Sequence, residues 1–91
     1  MQMIELAAHI LENQNSDSPM KELNLSELCL REGDELAEEE KRLVNAMLNS
    51  PISHLKELYL EDNPRLFANT EAAGYIVEFI QRQTKLEWLD L

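Results

Sequence analysis

Few residues in this chain have the types and spacing that chemistry needs. Glu38-Glu39-Glu40 offers three consecutive carboxylates, the raw material of a metal site or an acid–base pair. Consecutive residues of a helix point in different directions, so the three do not converge on one ion. A solvated helix face is the expectation. His9 and His54 are lone histidines without metal-ligand spacing. Cys29 has no basic or histidine neighbour beside it to lower its pKa, so it reads as a structural thiol and not a nucleophile. Gly33 and Gly74 are the only glycines, and no phosphate-cradling loop can be built from them. No clustered nucleophile and base is visible. The expectation is a non-enzymatic protein with no cofactor and no metal.

Composition narrows the partner classes. The 91 residues suit one domain, and a hydrophobic share of 44% is enough for a core. Eight Lys and Arg stand against 18 Asp and Glu, a net charge of −10. Phosphate backbones and anionic membrane surfaces need a positive face, so nucleic acid and membrane are excluded as expected partners. A basic protein surface is permitted, although the same charge also serves plain solubility. One cysteine forbids an internal disulfide and favours a reducing compartment. No apolar run reaches the roughly 18 residues of a membrane span. The start, Met1-Gln2-Met3-Ile4-Glu5, lacks the basic opening of a signal peptide. A cytoplasmic location is the expectation.

The elements that must position any site come from hydrophobic rhythm. Met3, Ala7, Ile10 and Leu11, widened by Ile4 and Ala8, predict a helix over 3–13. Asn13 to Pro19 is a polar turn. Leu23 and Leu25 alternate with polar residues, which predicts a strand around Glu22–Leu25. Arg31-Glu32-Gly33-Asp34 turns the chain, and Asp34 can cap a second helix. Its acidic start suits the positive end of the helix dipole, and its apolar residues are Leu36, Leu43, Val44, Met47 and Leu48. Asn49-Ser50-Pro51 ends it. A second strand spans Glu57–Leu60. Asn63-Pro64 turns, with Leu66 and Phe67 anchoring the loop. Thr70 is the expected cap of a third helix over 71–83, whose buried stripe is Ala73, Ile76, Val77 and Ile80. The last strand is Trp88–Leu91. Strands joined through helices run parallel, because each crossover needs a dozen or more residues.

The strand phrases share one beat. Leu55, Leu58 and Leu60 with Asn63 are preceded by Met20, Leu23 and Leu25, and followed by Leu86, Leu89 and Leu91. This pattern resembles the leucine-rich repeat, L-x-x-L-x-L-x-x-N/C-x-L, and its length is most similar to the ribonuclease-inhibitor-like subclass. The resemblance implies an arc of three helix–strand units, about 1–30, 31–66 and 67–91. A short parallel sheet would line the concave face, with helices on the convex face. Leu28 stands where the phrase has asparagine, so an irregular first turn is expected. The end strand would leave unpaired backbone and the apolar Leu89 and Leu91, so a homodimer through an exposed sheet edge is expected.

In this family partners usually lie against the strand face. The wet positions there are Lys21, Glu22, Asn24, Ser26 and Glu27; then Lys56, Glu57, Tyr59, Glu61 and Asp62; then Glu87, Trp88 and Asp90. Aligned by repeat they form the columns Glu22/Glu57/Trp88 and Asn24/Tyr59/Asp90. Exposed aromatics ringed by charge resemble hot-spot composition. The expected partner-binding residues are Asn24, Glu57, Tyr59, Glu61, Glu87, Trp88 and Asp90. The implied function is a protein–protein interaction module with a basic partner. The alternative is a structural segment of a longer solenoid, in which Trp88 packs against a neighbouring repeat.

Overall fold

Leu23, Leu58 and Leu89 stand side by side in three parallel strands: β1 (Glu22–Asn24), β2 (Glu57–Tyr59) and β3 (Trp88–Asp90). The computed structural model describes residues 3–28 and 33–91. Sheet order follows chain order, with β2 in the middle. The described residues also form helices α1 (Met3–Glu12), α2 (Glu38–Leu48), α3 (Pro64–Ala68) and α4 (Thr70–Gln81). The protein is therefore a mixed α/β chain with a small open parallel sheet. Each strand is one residue shorter than its leucine rhythm. The ladder nevertheless continues, through Leu25 N to Tyr59 O and Leu60 N to Asp90 O, both at 2.8 Å.

One core joins sheet to helices. Leu23, Leu25, Leu55, Leu58 and Leu60 meet Ile4, Ala8 and Leu11 of α1, Leu43, Val44 and Met47 of α2, and Ile76 and Phe79 of α4. Alternation along a strand points every second side chain inward, which is why Leu58 is wholly buried between two wetter neighbours. No helix of the described residues is long and apolar enough to cross a membrane.

The structure turns two helices relative to their expected stripes. Helix α1 buries Ile4, Ala8 and Leu11, whereas Met3 is 71% exposed and Ile10 also faces outward. That helix is apolar nearly all round, so periodicity alone does not select the face; packing on α2 does. Helix α4 buries Ala72, Ile76 and Phe79 and leaves Val77 exposed. Its cap is Asn69 and not Thr70: Asn69 Oδ1 accepts from Ala72 N at 3.0 Å, and its Nδ2 donates to Asp34 O at 2.7 Å.

Helix α2 begins at Glu38, so Asp34 is not its cap. The residue before it, Ala37, has no side-chain acceptor. Glu40 instead folds back and accepts from Ala37 N at 2.7 Å, which is half of a capping box. Glu40 also pairs with Arg65 and is only 2% exposed. The expectation of three solvated glutamates therefore fails at Glu40, while Glu38 remains in water and Glu39 is half-buried. The chain after Asn63 is helical where a loop was expected. Pro64 fits the first turn of α3 because that position needs no N–H donor. Leu66 anchors it in the core, but Phe67 is exposed.

Asn63 and Gln83 each tie elements through three or more backbone groups. Asn63 is buried; its Nδ2 donates to Leu25 O (2.8 Å), Leu60 O (2.9 Å) and Glu61 O (3.2 Å), and its Oδ1 accepts from Leu28 N (2.9 Å). One asparagine thus serves its own turn and the turn after β1, where Leu28 carries no such amide. Both turns pass through a left-handed residue, Glu27 (φ 59°) and Asp62 (φ 58°), which are 62 − 27 = 35 positions apart. That is the offset between Leu23 and Leu58. Gln83 does the corresponding work beside β2. Its Oε1 accepts from Leu55 N (3.1 Å), and its Nε2 donates to Ile52 O (2.9 Å) and Phe79 O (3.0 Å).

Candidate functional site

The open side of the sheet carries the residues the strands leave outside. Register aligns Glu22 with Glu57 and Trp88, and Asn24 with Tyr59 and Asp90. The two expected columns are therefore real neighbours. Parallel strands sit about 4.8 Å apart, so side chains in one row touch.

Each aromatic is tethered to an acid. Tyr59 Oη donates to Glu57 Oε1 at 2.7 Å, joining residues two apart on the same side of β2. Trp88 Nε1 donates to Asp90 Oδ2 at 2.9 Å in the same way on β3. Trp88 is nevertheless 56% exposed, so its ring lies open to solvent and only its N–H is held. Asn24 Oδ1 accepts from Ser26 N at 3.0 Å and stiffens the exit from β1.

The acids crowd one another. The hydrogen bond to Glu57 holds the proton on the Tyr59 hydroxyl, and with partial desolvation and the charges of Glu57, Glu22 and Asp90 pushes its pKa up to about 12. Chiefly the negative charge of Asp90 raises the Glu61 carboxyl, helped by desolvation and by a hydrogen bond between the two. Asp62 and Glu27 add to that effect. Among the described residues none of these acids has an ion pair, and like charges gathered this way leave a field that a positive group would relieve.

Of the seven expected residues, the structure brings Glu57, Tyr59, Glu61, Trp88 and Asp90 into one cluster, with Asn24 at its β1 side. Glu87 immediately precedes Trp88, in the row of Lys56, to whose O its backbone N–H donates at 2.8 Å. His9 is exposed on α1 beside Asn13. Cys29 lies outside the described residues. Among the described residues, no three His, Cys, Asp or Glu side chains gather as a metal ion would require.

Sequence reasoning passed over a second group, Lys21, Lys56, Lys85 and His54, which converge at the N-terminal ends of the strands. A signal for it was present. Lys56 follows Lys21 by 35 positions, and Lys85 follows His54 by 31, the spacings of Leu58 from Leu23 and of Leu89 from Leu58. Comparison of the chain with protein-family models, curated proteins and solved structures found no match in any of the three.

Proposed function

We propose that this chain is a non-catalytic protein-interaction module, a short leucine-rich-repeat arc that presents its strand face to a partner with a basic surface. The observation that carries the reading is the cluster on the open side of the sheet. A half-exposed tryptophan and a tyrosine are fixed in place amid Glu22, Glu57, Glu61 and Asp90. Rigid aromatics lose little entropy on binding, and surrounding acids select a cationic partner. A tyrosine whose proton is held up to about 12 is far from the near-neutral pKa of an efficient general acid or base. The repeated offset of strands, left-handed turn residues and lysines supports the arc.

The test is retention of partner. A protein that co-purifies with the wild-type chain should be lost by a Tyr59→Ala/Trp88→Ala double variant that keeps its melting temperature. Retention of every such partner by the folded variant would overturn the reading.

A second reading has its own observation. The outer side of α1 exposes Met3, Leu6 and Ile10, and the opposite end exposes Val77, Leu89 and Leu91. Apolar surface at both ends suits a segment stacked within a longer solenoid, where the flanking units would cover it. A second copy meeting the β3 edge is the form this takes in the isolated chain.

A further inference from the structure

Three of the chain's four lysines line one pocket. Lys21, Lys56 and Lys85, with His54 and the Ser18–Met20 turn, line an open hollow of about 280 Å³. The backbone explains the convergence. Lys21 and Lys56 immediately precede β1 and β2, and Lys21 O accepts from Lys56 N at 2.7 Å, which locks the two residues side by side. Lys85 reaches the same place from the turn before β3, where Thr84 N donates to Ser53 O at 2.9 Å, next to His54.

The charge is unusual for this protein. Acids outnumber basic residues 18 to 8, yet no carboxylate lines the pocket. Among the described residues Lys41, Arg42 and Arg65 each have an acidic partner within 4 Å, and Lys21, Lys56 and Lys85 have none. Lys21, Lys56, Lys85 and His54 are all exposed, so their side chains meet solvent around one concavity and are free to turn toward an anion that enters it.

We propose that this pocket is a binding site for a small phosphate-bearing anion. Its volume falls just below the roughly 300–1,000 Å³ of pockets that enclose drug-sized ligands, so it suits one anionic group and not a large ligand. Lysine ammonium groups serve phosphate as point charges from several directions. Carboxylates stand close by: Glu22 and Glu57 follow Lys21 and Lys56 directly, and Glu87 is level with Lys56, to whose O its backbone N–H donates at 2.8 Å. They repel an extended polyanion while leaving room for a compact one. The site uses none of the residues proposed to bind the partner, although Lys21 and Lys56 border the same strand face.

Titration of the 91-residue protein with inorganic phosphate, followed by ¹H–¹⁵N NMR at constant ionic strength, tests this. Saturable shifts are expected at residues 18–21, 54–56 and 84–86. A Lys56→Ala/Lys85→Ala variant should bind at least about tenfold more weakly, the loss expected from removing charged hydrogen bonds. Lys56→Arg/Lys85→Arg should retain binding, and so should Lys41→Ala, whose lysine pairs with Glu38 on α2. A phosphoserine tetrapeptide run in parallel identifies the source: tighter binding than inorganic phosphate marks a phosphate carried on a peptide, and equal binding marks the free anion. Shifts that chloride reproduces, or that the double alanine variant leaves undiminished, would overturn the proposal.

Discussion

Replacing Asn63 by alanine removes the side chain that closes two turns at once. Its amide donates to the carbonyls of Leu25 and Leu60, at 2.8 and 2.9 Å, and makes a longer contact to Glu61 O at 3.2 Å. Its carbonyl accepts from Leu28 N at 2.9 Å. The NH₂ group has two hydrogens, so the three donor contacts amount to two full bonds. Among the described residues, three main-chain groups thus lose a principal partner. A bond of this kind contributes about 1 kcal/mol net, and leaving a buried group unsatisfied costs about 1–3 kcal/mol. Water reaches the half-buried Leu28 more easily than the buried Leu25 and Leu60, so a total of about 3 kcal/mol is expected. Folded domains of this length hold only roughly 5–14 kcal/mol, and the loss should appear as a large fall in the urea midpoint. The assay is equilibrium urea unfolding followed by circular dichroism, with the slope compared between variants. Asn63→Asp is the companion. It keeps an acceptor for Leu28 N but sets a carboxylate against three carbonyls, so it should be no more stable than the alanine variant at neutral pH. A loss below about 1 kcal/mol for Asn63→Ala, at unchanged slope, would refute the account of these turns.

Leu58→Ala should lower stability by about 2–5 kcal/mol, because the side chain is wholly buried in the central strand; an unchanged melting curve would show that the strand register is wrong. Glu40→Ala should cost roughly 3 kcal/mol by stranding the poorly exposed Arg65, whereas Glu38→Ala should be nearly silent; equal effects in denaturant titrations would contradict the buried pair. Absorbance titration should find the Tyr59 hydroxyl ionising near 12, and Glu57→Gln should move it toward the ordinary value of about 10. The folded-state pKa is raised, so the stabilisation is complete below the ordinary tyrosine range and is lost as pH rises from about 10 through about 12. Light scattering at micromolar concentration should give a dimer, and removal of Glu87–Leu91 should abolish it; a clean monomer of 10.6 kDa would rule out association through the β3 edge.

Strand positions, their parallel order and their register were legible in the sequence. A period-two rhythm of leucines admits one inward set, and helical crossovers admit only parallel pairing. Leu23, Leu58 and Leu89 align as that rhythm requires, and the columns ending in Trp88 and Asp90 follow directly. Most of the strand-face cluster was therefore readable, because alternation alone decides which residues stay outside.

Tertiary structure decided what local pattern leaves degenerate. Helices α1 and α4 each carry two adjacent apolar faces, and only the neighbouring element selects Ile4 over Met3 or Phe79 over Val77. Glu40 looks like any residue of an acidic run until Arg65, 25 positions later, meets it in the core. The first turn lacks its own asparagine and borrows Asn63 from 35 residues away, a long-range bond that composition does not encode. The lysine pocket depends on the same cause. Its residues are far apart along the chain, and the stacking of three strand entrances brings them around one space.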